Sequence, residues 1–391
     1  MDRQIVHMDL DAFYVNCTLL KMPELVGKPV IIGGISNRGV VTCASYEARK
    51  YGVHSAMPTR FAKQLCPDAI ILQGDFDMFT DYSNMVNEIV SEKAPVLERA
   101  SIDEFYMDVS GMDRFYGCHQ FTTELINRVS HETGLQMSFG LSVNKTVAKM
   151  CTNYSKPSGN LRVSQKEVQP FLDPQSIRKI PQLGDVTFKL LRRISIKVIK
   201  TLRQLPADSM QELLGKNGIS IWRKANGIDS TPVIPFSNRK SISTEKTFDK
   251  DTQNIPELKA LLISMVEKVA FQMRDANMLC STITVRIRYS NRDTETSQAK
   301  VSFTSNDDVL LQKALELFDK LYNRRMLLRL VGVKLSNFVY GNHQIDIFHD
   351  TTKMINLYQA MDRMKRRFDN PKLIRRATGL SARKNTLIGK G

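Results

Sequence analysis

No stretch of this 391-residue chain approaches the roughly 20 consecutive apolar residues that a membrane-spanning helix requires. Met1-Asp2-Arg3-Gln4 runs straight into an apolar, strand-like segment, so no signal peptide is expected. Cysteines are few and scattered: Cys17, Cys43, Cys66, Cys118, Cys151 and Cys280 show no paired spacing and no Cys/His zinc pattern. That excludes a disulfide framework and points to reduced thiols in the cytoplasm. No low-complexity segment occurs, and no internal repeat beyond two similar α+β stretches. Acid is also in short supply. Forty Asp and Glu face 56 Lys and Arg, a net charge of +16. A chain this basic is expected to meet a polyanion, with nucleic acid the first candidate.

Against that background, two apolar runs carry acid. Ile5-Val6-His7-Met8-Asp9-Leu10-Asp11-Ala12-Phe13-Tyr14 holds Asp9, and Ala100-Ser101-Ile102-Asp103-Glu104-Phe105-Tyr106-Met107-Asp108 holds the adjacent pair Asp103 and Glu104. A carboxylate buried in a strand must be paired or bound to a metal. Two strands whose acids converge form an oxygen cage for divalent cations. Mg²⁺ is typically held by a few carboxylates together with substrate phosphates, and two ions can clamp the attacking and leaving oxygens of phosphoryl transfer. The bland alternative is a set of solvated strand ends or helix caps. Side chains alternate along a strand, so Asp103 and Glu104 face opposite sides unless they sit where the strand leaves a turn.

The fold class expected is α+β and multidomain. Strand-like runs at 5–10, 29–33, 39–44, 102–109, 136–142 and 161–163 alternate with helical patterns around 79–93, 121–133 and 145–153. They suggest a ferredoxin-like unit over residues 1–19 and 76–165, with 20–75 inserted into it. From 166 to 231, frequent Pro and Gly separate short helices. Residues 232–240 read as a stiff linker, beginning after Thr231 with Pro232-Val233-Ile234-Pro235. A second α+β unit follows over 241–341, with strands expected at 241–248, 281–289, 299–303 and 330–337. Its strands carry Arg286 and Arg288 beside Lys and hydroxyl residues, a face that suits a phosphate backbone or ordinary solvent. The tail, 342–391, has an amphipathic pattern in Met354, Leu357, Tyr358, Met361, Met364 and Phe368.

Smaller motifs carry chemistry of their own. In Tyr46-Glu47-Ala48-Arg49, Arg49 can grip a triphosphate by paired hydrogen bonds and Tyr46 can add its hydroxyl. Lys156, before Pro157, is a second phosphate cation; each also has a reading as a plain surface residue. Ile180-Pro181-Gln182-Leu183-Gly184 opens a helix carrying Lys189 and Arg192. This resembles a helix-hairpin-helix, whose backbone N–H groups cradle a DNA phosphate without reading sequence. Gln344-Ile345-Asp346-Ile347-Phe348 reads as a short docking peptide or an edge strand.

Taken together, Met8–Tyr14, Tyr46–Arg49, Ser101–Glu104, Gly140-Leu141-Ser142-Val143-Asn144-Lys145 and Ser155-Lys156-Pro157 resemble the ordered motifs of the Y-family translesion DNA polymerases, closest to the DNA polymerase IV-like branch. The resemblance covers about residues 1–341. It implies a right-hand polymerase with palm (1–19 and 76–165), fingers (20–75), thumb (166–231), linker (232–240) and little finger (241–341). It implies that Asp9, Asp103 and Glu104, with the Leu10 carbonyl, hold two Mg²⁺ ions. Tyr14 then takes the position that excludes a ribose 2′-hydroxyl, Phe13 packs under the sugar, and Tyr46, Arg49 and Lys156 contact the triphosphate. Ser101 supports the primer end, and Asp11 is no ligand in the family. Gly184, Lys189, Arg192, Arg286 and Arg288 are the expected DNA contacts. Gln344, Ile347 and Phe348 are similar to the family's peptide for the bacterial sliding clamp. Primer–template DNA and deoxynucleoside triphosphates are the implied substrates, and a cytoplasmic monomer the implied form. The tail beyond Phe348 departs from many polymerase IV-like chains and resembles extensions of the polymerase V-like branch. Two other classes remain open on sequence alone: a catalytically silent DNA-binding clamp adaptor, and a nucleotidyl cyclase-like enzyme sharing the palm. Template dependence separates all three.

Overall fold

The computed structural model describes residues 3–112, 117–236, 238–341 and 352–367. They fall into two units, Met1–Ser237 and Asn238–Gly391.

The first unit begins with β1 (Ile5–Leu10), α1 (Phe13–Lys21), β2 (Val30–Gly33), β3 (Val41–Ala44), α2 (Tyr46–Arg49), α3 (Thr59–Leu65) and β4 (Ile70–Leu72). It continues with α4 (Phe76–Ser91), β5 (Val96–Arg99), β6 (Glu104–Asp108), α5 (Cys118–Thr133), β7 (Met137–Ser142), α6 (Lys145–Ser155) and β8 (Asn160–Arg162). Five short helices complete it: α7 (Val168–Leu172), α8 (Asp185–Arg193), α9 (Ile199–Arg203), α10 (Ala207–Leu214) and α11 (Lys216–Ala225).

Its main sheet has the order β5-β6-β1-β7-β8. The expected strand at 102–109 starts two residues late, because the backbone turns at 101–103 and the N–H groups of Ala100 and Ser101 both donate to the Glu104 carbonyl. The unforeseen β5 is the other arm of that turn. All six residues of β1 are buried, and period two sorts them. Val6, Met8 and Leu10 join a core with Phe79, Val86 and Val129. On the opposite face Ile5 packs with Tyr106, Ala148 and Val233. His7 and Asp9 therefore look toward α6. That helix starts at Asn144, whose side chain accepts from the Val147 N–H, a good N-cap arrangement. It also crosses β7 so closely that a Cβ on Gly140 would lie 2.2 Å from the Ala148 carbonyl oxygen. Its far side joins the helical segment through Val147, Met150 and Cys151.

The inserted segment carries a small sheet, β3-β2-β4. The expected linker is not free at its start. Arg3 donates to the Thr231 carbonyl at 2.9 Å, Lys145 to that of Pro232 at 3.2 Å, and the Ile234 N–H to Glu98 at 2.6 Å.

The second unit comprises β9 (Ser241–Thr252), α12 (Ile255–Asp275), β10 (Met278–Tyr289), β11 (Thr294–Thr304), α13 (Asp307–Leu321), β12 (Leu328–Tyr340) and α14 (Thr352–Arg367). Its antiparallel sheet has the order β11-β10-β12-β9. Ile283, Val285, Ile287, Val331 and Val333 bury one face against α12 and α13. The other face carries the hydroxyls and cations expected from the alternation. Of the apolar stripe read in the tail, Tyr358 is 6 % exposed and helps dock α14, whereas Leu357 is 50 % and Met364 47 % exposed. Polar anchors hold the helix as well. Arg274 donates to both Asp362 oxygens at 2.6 and 3.1 Å and to Asp307 at 2.5 Å, with its guanidinium 5.1 Å from the Tyr358 ring centre.

Candidate active site

Asp9 and Glu104 are direct cross-strand partners in the β1–β6 register. Each meets an ammonium delivered by α6 or the residue after it. Lys149 Nζ donates to both Glu104 oxygens at 2.7 and 2.6 Å, and Lys156 forms an ion pair with Asp9. Burial still raises Asp9 to a pKa of about 7, against the pull of Lys156. Asp103 lies one residue outside β6, on the turn that period two demanded. Its carbonyl accepts the Leu10 N–H at 3.0 Å, and its carboxylate accepts from the Ser101 hydroxyl at 2.6 Å.

Sequence reasoning missed His7, two residues before Asp9 on the same face. One ligand atom each from His7, Asp9 and Glu104 lie within 4.8 Å of one another, a group that Asp103 does not join. Burial depresses His7 to about 4, so the imidazole is neutral at pH 7. Its Nε2 is 3.8 Å from Glu104 Oε2 and has no hydrogen-bond partner. Two carboxylates and an orphaned buried nitrogen together fit a divalent cation.

Asp11 is the second residue whose role the sequence hid. It is 2 % exposed and accepts from Tyr46 Oη at 3.2 Å, Ser138 Oγ at 2.8 Å and the Ser158 N–H at 2.7 Å. One carboxylate thereby joins the inserted segment, β7 and the loop before β8. Arg49 lies with its guanidinium 4.7 Å from the Tyr46 ring centre, and its Nε donates to the Ala44 carbonyl at 2.9 Å. Tyr14 packs its ring 4.5 Å from that of Phe79 and 5.7 Å from that of Phe76. Phe13 is 2 % exposed, in the core.

A cleft of about 570 Å³ opens beside Glu104, between the sheet and α11, lined in part by Lys145, Lys149, Lys216 and Arg223. Gly184 is the residue before α8, and Lys189 and Arg192 are exposed on that helix. In the second unit, Arg286 and Arg288 project from alternate positions of β10. Arg286 reaches Glu245 at 3.1 Å across Gly332, where a Cβ would lie 2.5 Å from Glu245 Cγ. Gln344, Ile347 and Phe348 lie outside the described residues.

A sheet whose central strand presents a buried acid opposite a second acid, each paired with a lysine, is an arrangement that nucleotidyl transfer can use. Comparison with known proteins agrees. The impB/mucB/samB family matches residues 8–153, and its C-terminal domain matches 239–347. A DNA polymerase IV of Dehalococcoides mccartyi is 34% identical over 370 residues, 94% of this chain and 95% of the relative. One from Methanoculleus marisnigri is 35% identical over 339 residues, 85% and 94% respectively. A solved Y-family DNA polymerase chimera of Dbh and Dpo4 superposes with a TM-score of 0.77 at 25% identity, over 86% of this chain and all of that one (100%). The chain belongs to the impB/mucB/samB family, as a Y-family DNA polymerase of the DNA polymerase IV type. Its architecture is that of palm, fingers, thumb and little finger.

Proposed function

We propose that this Y-family enzyme extends a primer past damaged template bases using Asp9, Asp103, Glu104 and the Leu10 carbonyl to hold two Mg²⁺ ions. The observation that carries the assignment is the in-register pairing of Asp9 with Glu104, each already neutralised by a lysine. Bound ions would activate the primer 3′-hydroxyl and offset charge on the leaving pyrophosphate. The chain's own side chains position and neutralise. Lys156, Arg49 and Tyr46 would take the triphosphate. Tyr14, braced by Phe76 and Phe79 with Phe13 beneath, would close the space that a 2′-hydroxyl needs. Gly184, Lys189, Arg192, Arg286 and Arg288 would hold the DNA backbone. No helix among the described residues is long and apolar enough to cross a membrane, and we assign the enzyme to the cytoplasm as a monomer.

Asp103→Ala is the cleanest test, because Asp103 lies outside β6 and its carboxylate accepts from the neighbouring Ser101 hydroxyl. Nucleotide incorporation should fall at least about a thousandfold, on the order of 4 kcal/mol of transition-state stabilisation, with DNA affinity retained. Primer extension and binding assays check it, and extension near the wild-type rate would remove the metal assignment.

For Gln344–Phe348 we propose docking to a bacterial sliding clamp, which raises the local concentration of primer ends without new active-site contacts. Replacing Gln344, Ile347 and Phe348 by Ala should leave extension on bare primed DNA unchanged and abolish stimulation by the clamp. Joint loss of basal activity and thermal stability would show that the segment is structural.

A further inference from the structure

We propose that His7 Nε2 is a third ligand, with Asp9 and Glu104, for a nitrogen-preferring divalent cation that competes with the Mg²⁺ needed for polymerisation. The inference rests on the reading of Asp9 and Glu104 as cation ligands and extends it to a residue outside that set.

His7 Nδ1 lies 2.9 Å from Thr152 Oγ1. The threonine has one hydrogen, and two carbonyl oxygens stand ready for it, that of His7 at 2.9 Å and that of Ala148 at 3.1 Å. With that hydrogen donated to a carbonyl, the threonine oxygen accepts from Nδ1–H and Nε2 carries the lone pair, the tautomer that the proposal assigns. Hydrogen bonding at one ring nitrogen is the usual way a metal-binding histidine is oriented.

Nε2 is then a bare acceptor in the wrong company. The residue is 0 % exposed, no hydrogen-bond partner reaches Nε2, and Glu104 Oε2, itself an acceptor, lies 3.8 Å away. Two acceptors facing each other in a buried site call for a cation between them. Asp9 supplies the third atom, all three lying within 4.8 Å of one another. Ligand atoms about 2.1 Å from one ion stand roughly 3.0–3.5 Å apart, so closing the group takes movements of about an ångström. The ion would replace the charge that Lys149 and Lys156 now provide.

The donor set decides which ion. Mg²⁺ favours oxygen and gains little from imidazole. Zn²⁺ and Co²⁺ take imidazole readily and bind N/O sites more tightly, in the Irving–Williams order. Asp103 is absent from the group, so an ion bound through His7 sits away from one of the carboxylates that polymerisation is proposed to use. Such an ion inhibits.

The test uses the full chain without DNA or nucleotide. Co²⁺ is titrated in and followed by its visible ligand-field absorption, then displaced with Zn²⁺. His7→Phe, which keeps the shape of a buried ring, should weaken Co²⁺ binding at least about tenfold and change the band pattern. Thr152→Val, which removes the Nδ1 acceptor together with the hydroxyl's own bond to a carbonyl of His7 or Ala148, should weaken it about 10- to 100-fold. The Zn²⁺ concentration that halves Mg²⁺-supported primer extension should rise at least about tenfold in His7→Phe. Should His7→Phe fail to fold, His7→Gln replaces it. Unchanged Co²⁺ affinity and spectrum in the His7 variant would overturn the proposal. Primer extension by the unaltered chain is read separately. Its absence, with Co²⁺ still bound through His7, would count against the polymerase assignment of the site and leave the ligand assignment standing.

Discussion

Asp9 and Asp11 stand two positions apart at the end of one buried run, and the fold gives them opposite tasks. Asp9 faces Lys156, which the proposed cation would replace. Asp11 is consumed by three donors from three parts of the chain. Removing it strands the Tyr46 hydroxyl, the Ser138 hydroxyl and the Ser158 N–H. Asp11→Ala should therefore destabilise the first unit by about 2–4 kcal/mol, since each buried group left unmade costs roughly 1–3 kcal/mol and part of the site can relax. Thermal or urea unfolding measures this, and a loss under about 0.5 kcal/mol would mean that the three donors find other partners. The sequence announced Asp9, Asp103 and Glu104 because acids inside apolar runs are anomalous without partners. It was silent on His7 and Lys149. Their roles come from α6 crossing β1, and Thr152 meets His7 across 145 positions of chain. No local pattern encodes such a meeting.

At the scale of elements, the position of α6 matters most. It delivers Thr152 and Lys149, and the chain leaving it delivers Lys156. The gap it occupies exists because residue 140 has no Cβ. In Gly140→Ala the new methyl would meet the Ala148 carbonyl oxygen at 2.2 Å and Cys151 Cβ at 2.5 Å, so the helix must move. The expected cost is about 1–3 kcal/mol of stability, and incorporation should drop more steeply than DNA binding. Paired melting and primer-extension measurements test this; full activity with an unchanged melting point would show that α6 tolerates the shift. Element types were largely legible. Long periodic stretches such as 79–93 and 121–133 read as helices, and the central strands read from their apolar runs. β5 was not legible, because Val96-Leu97-Glu98-Arg99 has neither an apolar run nor clear alternation. The five-stranded order likewise depends on a hairpin that the 102–109 pattern concealed.

At the scale of the molecule, the net charge is +16, and Lys189 and Arg192 on α8 and Arg286 and Arg288 on the sheet of the second unit carry part of the excess. Both surfaces suit backbone without base contacts, so affinity for primer–template should fall steeply with salt. Six to ten phosphate contacts imply a loss of about 10³- to 10⁵-fold between 50 and 200 mM salt, with little preference among duplex sequences. Titration at several salt concentrations checks this, and a flat response would contradict it.

The buried Arg274–Asp362–Tyr358 anchor has a geometric consequence for the residues before it. Eleven residues, 341–351, separate β12 from α14, two elements of the same unit. Fully stretched, eleven residues span about 38 Å, and a leash pegged at both ends reaches out only about half its length. A partner gripping Gln344–Phe348, as proposed, would thus be kept within roughly 19 Å of that unit's surface. The helix beyond the peptide would set the radius within which such a partner holds the enzyme.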